Sequence, residues 1–249
     1  MSGRSLSLSE WEIGTIEKNR VHDEEEIAYH KEMIVEKRGL VITGGLAAGK
    51  AYFDAVKSRF DLIVAADSGY HTAVDVGADI DFVVGDMDSI GEDRLLNDLP
   101  EDSVITYDRD KDFTDTEIAL QLLKDKGCGY RCIYGGGGGR LDHLFGIFAL
   151  FDRKDGPDMW ITDSAVVVSI RERFVLKGMS GCTISFFPIG TDRCTMISAG
   201  LKWPLNSLEW VKGDAGVSNQ ALSDTVEVKM RTGSAVFVGG LETLKGIGG

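Results

Sequence analysis

The chain reads as an α/β half followed by an all-β half. Three observations predict this. Between Gly39 and Phe151, short apolar runs alternate with stretches of helical period, as in parallel β-α-β units. After about residue 156 the period changes to two, and short β-runs are split by turns, the pattern of a small sandwich or barrel. Within the first half, one acidic motif after another follows an apolar run. Parallel topology collects such positions at one sheet edge, where open α/β folds bind ligands.

Residues 1 to about 38 are polar and charged, with the run Asp23-Glu24-Glu25-Glu26 and loosely recurring Ile27, Met33, Ile34 and Val35. They predict a partly ordered extension with one helix, outside the catalytic core. Leu40, Val41 and Ile42 predict a buried strand, and residues 50–59, with Tyr52, Phe53 and Val56 at helical spacing, a helix. Strands are expected at 62–66, 82–84, 104–107 and 132–134, with helices at 71–76 and 141–151. The clearest helix is 115–126, with Ile118, Ala119, Leu122 and Leu123 on one face. It opens on Thr114-Asp115-Thr116-Glu117, cap-type residues followed by Glu, which places Asp115 at a helix N-terminus. In the second half, β-runs are expected at 165–170, 174–176, 182–187, 194–198, 225–230 and 234–238. The boundary is expected near Asp155-Gly156-Pro157, giving an extension (1–38), an α/β domain (39–155) and a β domain (156–249).

The 249 residues are 43% hydrophobic, enough for a sizeable core. A net charge of −13 argues against nucleic acid or an anionic membrane surface as partner. An anionic nucleotide would have to be met by bound metal and a few local cations. No apolar run approaches the roughly 20 residues that span a bilayer, and Met1 to Glu12 has no apolar signal core. Cys128, Cys132, Cys182 and Cys194 lack a second cysteine or histidine pair for a zinc site. Reduced thiols in a cytoplasmic protein are expected.

The acidic motifs are Asp67-Ser68-Gly69, Gly85-Asp86-Met87-Asp88-Ser89, the stretch from Asp108 to Asp115, and Gly139-Arg140-Leu141-Asp142-His143. Gathered carboxylates repel one another unless a cation sits among them. Oxygen-only ligation suits Mg²⁺, which commonly bridges carboxylates and substrate phosphates. Asp86 and Asp88 stand two apart, so along a strand both point the same way. Asp108 and Asp110 also read as a solvated loop, and the offsets of an EF-hand are absent from the 108–115 stretch. Gly135–Gly139 followed by Arg140 reads as a backbone-rich anion site with a guanidinium fork at its end. His143 is open between acid–base work, helix capping and support of its neighbours. Gly44 to Lys50 nearly matches a P-loop, but Ala51 holds the position that must offer a hydroxyl to Mg²⁺. Trp203, between Lys202 and Pro204, offers a flat face to an aromatic or cationic ring, or fills core. Gly216-Val217-Ser218-Asn219 reads as a turn with hydrogen-bonding side chains.

Six of these motifs in order resemble the thiamine pyrophosphokinase (thiamine diphosphokinase) family: 67–69, 85–89, 110–120, 138–143, Gly200-Leu201-Lys202-Trp203-Pro204-Leu205 and 216–219. The resemblance covers about 39 to 240; Met87 stands where a Phe is often found, and the 1–38 extension has no counterpart. It implies an N-terminal Rossmann-like parallel α/β domain, a C-terminal β-sandwich and a homodimer whose active site lies between subunits. It implies transfer of the pyrophosphoryl group of ATP to the hydroxyl of thiamine, with Mg²⁺, giving AMP and thiamine diphosphate. By matching position, Asp67, Asp86, Asp88, Asp115 and Asp142 become the metal- and nucleotide-binding set, with Asp86, Asp88 and Asp115 on the metal. Asp86, Asp88, Asp115 and Arg140 carry the chemistry, Arg140 on the phosphates. Ser68, Gly69, Gly138, Gly139 and His143 complete the nucleotide site. Trp203 stacks on thiamine from the partner subunit, beside Ser218 and Asn219. Alternatives are a pyrophosphokinase for another hydroxymethyl heterocycle, such as a pterin, and a catalytically silent thiamine or nucleotide sensor.

Overall fold

The computed structural model describes residues 36–86, 99–108, 110, 112–190 and 193–247. The expected N-terminal helix, and Met87, Asp88 and Ser89, lie outside the described residues. Lys37–Gly249 form one structural unit.

Parallel pairing dominates its first half. β1 (Arg38–Thr43), β2 (Leu62–Ala66), β3 (Phe82–Gly85), β4 (Val104–Thr106), β5 (Tyr130–Gly135) and β6 (Met159–Ile161) lie in the order β6-β5-β1-β2-β3-β4. Every neighbouring pair is parallel. Leu40, Val41 and Ile42 are wholly buried, because helices cover both faces and such strands need apolar residues throughout. On one face, Leu40, Ile42, Ala65 and Val83 pack with Phe53 and Val56 of α1 (Lys50–Val56) and Tyr70, Ala73 and Val76 of α2 (Gly69–Val76). On the other, Val41, Val64 and Val84 pack with Ala119, Leu120 and Leu123 of α3 (Asp115–Asp125) and Ile147 and Leu150 of α4 (Leu141–Leu150).

The same sheet continues past the composition change. β7 (Ala165–Ile170), β14 (Ser234–Gly240), β9 (Thr183–Ile189) and β12 (Gly216–Gln220) add to β6 in that order, each antiparallel to its neighbour. Among the described residues the result is one mixed sheet of ten strands. A second antiparallel sheet holds β8 (Arg173–Lys177), β13 (Thr225–Thr232), β10 (Cys194–Ala199) and β11 (Glu209–Trp210). The two share an apolar core, in which Phe174 of β8 packs on Phe237 of β14 with ring centres 4.9 Å apart. Across the other face, Phe148 of α4 meets Phe187 of β9 edge-on at 6.2 Å.

Three differences from the sequence reading have physical causes. β6 joins the parallel set, although three residues are too few to show a period. Gly216–Gln220 is a strand rather than a turn; it sits at the sheet edge, its register slips between Gly216 and Asn219, and Ser218 has φ +59°. That bulge removes the alternation that marks a strand. Finally, α2 starts at Gly69, two residues before the expected start. A Cβ on Gly69 would lie 2.1 Å from the Ile42 carbonyl oxygen, so only glycine lets this helix approach β1 so closely. Among the described residues no helix is long and apolar enough to cross a membrane.

Candidate active site

A cleft of about 850 Å³ opens where the loops leave β1, β2 and β5. Thr43–Leu46 and Ala66–Ser68 line its base, with Thr114–Glu117 from the start of α3. Gly136–Arg140 and the α4 residues Asp142, His143, Gly146 and Ile147 line it as well.

The glycine wall is built from the backbone. Leu46 and Gly137 exchange two main-chain hydrogen bonds, of 2.7 and 2.8 Å, and Gly136 N–H donates to the Gly44 carbonyl at 3.0 Å. Two buried side chains hold it from below: the Tyr134 hydroxyl donates to the Ala48 carbonyl at 2.6 Å, and Trp160 Nε1–H to the Gly135 carbonyl at 2.7 Å. Burial pushes the Tyr134 phenol up to about 12, so it remains a donor at neutral pH. Gly136 has φ +70°, and a Cβ there would lie 2.5 Å from Ile147 Cδ1. The left-handed φ favours glycine here, and a side chain would also displace the tip of Ile147 on α4.

The P-loop resemblance stops at this loop. Lys50 Nζ donates to Asp54 at 2.9 Å and to the Val76 carbonyl at 3.2 Å, and Lys50 is not among the residues lining the cleft.

The strand ends position the acids. Asp67 closes β2 with φ +46°, its N–H donating to the Val84 carbonyl at 2.8 Å. A non-glycine residue in that region is strained and clusters at functional sites. The Cβ direction of Gly85 ends 3.2 Å from Asp67 Cα, so half-buried Asp86, one residue on, starts from a strand end touching that of Asp67. Asp115 opens α3 under a complete capping box. Behind it the Thr43 and Thr116 hydroxyls share a buried hydrogen bond of 2.9 Å, tying the end of β1 to the start of α3.

Arg140 offers its fork to Asp142, Nη2 at 2.5 Å and Nε at 3.2 Å. The pair raises the guanidinium's already high pKa and holds the Asp142 carboxyl below the usual range. Both side chains are well exposed. Exposed pairs contribute little, so the guanidinium can turn to a phosphate at small cost.

The cleft thus gathers Asp67, Ser68, Asp115, Gly138, Gly139, Arg140, Asp142 and His143 of the residues singled out from the sequence. Asp86 and Gly69 lie beside it rather than on its lining. Trp203, Ser218 and Asn219 stand apart, on the second half. Trp203 is 54% exposed, with Lys202 Nζ 4.6 Å from its ring centre. Sequence reasoning missed Thr43, Thr116, Tyr134, Trp160 and Arg153. Their roles depend on partners far along the chain, and only the Thr114–Glu117 cap had a local signal.

Carboxylate oxygens at neighbouring strand ends are a donor set that fits a hard divalent cation. Among the described residues no group of three or more His, Cys, Asp or Glu side chains gathers to hold one. Asp88 is outside those residues.

Comparison with known proteins agrees over both halves. Residues 53–161 match the family model of the thiamin pyrophosphokinase catalytic domain, and residues 168–235 that of the thiamin pyrophosphokinase vitamin B1 binding domain. The thiamine pyrophosphokinase of Bacillus subtilis (strain 168) is 28% identical over 168 residues, 65% of this chain and 78% of that protein. A solved structure of thiamine pyrophosphokinase from Bacillus subtilis aligns with a TM-score of 0.67 at 23% identity, covering 82% of this chain and 99% of that one. Thiamin pyrophosphokinase from Candida albicans aligns with a TM-score of 0.62 at 16% identity, covering 82% and 89%. At these identities the two structures speak for the fold alone. The two domain models, matched in order over most of the chain, place it in a family: the chain belongs to the thiamin pyrophosphokinases.

Proposed function

We propose that this chain transfers the pyrophosphoryl group of ATP to the hydroxyl of thiamine, giving thiamine diphosphate and AMP. The observation that carries the reading is the match of both domain models, catalytic and vitamin B1-binding, in one chain. The cleft supports it: a glycine-lined backbone wall and an arginine suit phosphate oxygens, and the carboxylates suit a divalent cation. In this reading Asp86, Asp88 and Asp115 would hold Mg²⁺, which would supply positive charge against that of the phosphates. The glycine wall and Arg140 orient the polyphosphate, and Asp67, Ser68, Gly69, Asp142 and His143 complete that site.

The step is a displacement at the β-phosphorus. A bond forms from the thiamine hydroxyl oxygen to that phosphorus, and the bond from it to the α,β-bridging oxygen breaks. AMP leaves with the bridging oxygen, and Asp86 or Asp115 accepts the hydroxyl proton. Such transfers depend chiefly on positioning and charge stabilisation. Trp203 stacks on thiamine, with Ser218 and Asn219 beside it. The reading of a homodimer, one subunit's second half completing its partner's cleft, rests on the family resemblance; Trp203, Ser218 and Asn219 are not among the residues lining the cleft. We read residues 39–155 as a Rossmann-like catalytic domain and 156–249 as a β-sandwich that binds thiamine. Four free cysteines suit a cytoplasmic enzyme.

The test is incubation with ATP, Mg²⁺ and thiamine, with the nucleotides resolved by chromatography. AMP that appears only with thiamine, together with thiamine diphosphate, supports the reading. ADP and phosphate in its place would overturn it.

A further inference from the structure

We propose that Glu117 is a positioning residue that clamps the first turn of α3 to the end of α4, and so sets the spacing of the cleft walls and the placement of Asp115. The proposal rests on the reading of the cleft as the nucleotide site.

Both carboxylate oxygens of Glu117 are used, in two directions. Oε2 accepts from the Thr114 N–H and from the Thr114 hydroxyl, each at 2.9 Å. Thr114 Oγ1 accepts in return from the Glu117 N–H at 3.3 Å. This reciprocal cap holds the turn on which Asp115 is the first helical residue. Oε1 accepts from Arg153 Nη2 at 2.5 Å, a residue 36 positions on and just past the end of α4. The Glu117 side chain is 13% exposed and that of Arg153 51%, so the carboxylate is the fixed member. Glu117 and Arg153 both line the cleft. A cap alone needs only one carboxylate oxygen. The second joins α3 to α4, whose N-terminus carries Arg140 and Asp142. Placement errors of about 1 Å can cost a hundredfold in rate, so a tether between two walls acts on turnover without touching substrate.

The experiment compares the full-length chain with Arg153→Met, Arg153→Lys, Glu117→Gln and the double variant Glu117→Gln/Arg153→Met. Steady-state kinetics are read against ATP, thiamine and Mg²⁺, with thermal melting in parallel. Arg153→Met leaves the capping box intact, so its folding is preserved even if Glu117→Gln melts early. The expected result for each of these two single variants is a fall of about tenfold in kcat/KM for ATP, a higher Mg²⁺ requirement and an unchanged KM for thiamine. Arg153→Lys recovers most of the loss. The double variant is no worse than the poorer single one, because both remove one tether. Wild-type kinetics in Arg153→Met, additive losses in the double variant, or a KM for thiamine raised as far as the KM for ATP would each overturn the proposal. A wild-type chain that turns over normally while the variants match it refutes the clamp alone. A wild-type chain that releases no AMP refutes the nucleotide reading, and the clamp with it.

Discussion

Trp203 and Asn219, sixteen residues apart, hold each other by two hydrogen bonds. The Trp203 N–H donates to Asn219 Oδ1 at 3.2 Å, and the Asn219 side-chain amide donates to the Trp203 carbonyl at 2.7 Å. Asn219 is 4% exposed, while Trp203 is largely open. A buried amide therefore fixes the backbone of an exposed aromatic ring. These two bonds join the loop and the edge strand that carry the three proposed thiamine-site residues, Trp203, Ser218 and Asn219.

Asn219→Ala should loosen that junction. The Trp203 carbonyl and N–H lose their partner, at a cost of about 1–3 kcal/mol, measurable by urea unfolding. Turnover should show a KM for thiamine raised roughly tenfold with the KM for ATP unchanged. Equal changes in both constants would remove Asn219 from the thiamine site.

Asp88→Ala should abolish turnover and leave the circular dichroism spectrum and melting temperature near those of wild type. Asp86→Ala should raise the Mg²⁺ concentration needed for half-maximal rate, or abolish the rate. An active Asp88→Ala variant would sink the metal assignment.

Gly69→Ala should destabilise by about 3 kcal/mol, because the new methyl group meets the Ile42 carbonyl, backbone that cannot swing aside. Gly139→Ala meets no atom within 4 Å; its strain is the left-handed φ of +61°, about 1–2 kcal/mol. The ranking of the two melting temperatures is the check. A Gly69→Ala variant as stable as wild type would contradict the close approach.

Acid should erode the Glu117 clamp. Burial pushes its carboxyl up, but hydrogen bonds from Thr114 and the Arg153 guanidinium outweigh this and hold it below the ordinary carboxylate range. A depressed folded-state pKa contributes stability above the unfolded-state value, lost as pH falls through the folded-state value. Wild type should therefore exceed Glu117→Gln in melting temperature at pH 7, with the gap closing below about pH 4. A gap independent of pH would mean that charge plays no part in the clamp.

Much of the fold was legible because its causes are local. The strands Leu62–Ala66 and Ala165–Ile170 stand at their expected bounds, being apolar runs punctuated by turn residues. The start of α3 was legible from four residues, since a capping box is complete within one turn. β6 and β12 were not legible: one is three residues long, and the other is an edge strand with a bulge. Asp67, Asp115, Arg140 and Asp142 could be placed at one sheet edge because parallel topology sends every strand end to the same side. The posts under the glycine wall, Tyr134 and Trp160, looked like any other core aromatics.

The sequence by itself determined the periods, the caps, the carboxylates after apolar runs and the family. These depend on neighbours within a turn or on motif order, which the chain carries unfolded. Tertiary structure alone decided that one sheet runs through both halves, that Gly136 takes a left-handed turn against Ile147, that Lys50 lies against Asp54 and off the cleft lining, and that Glu117 answers to Arg153. Each of these pairs an atom with one whose position follows from packing, and packing is a property of the whole core.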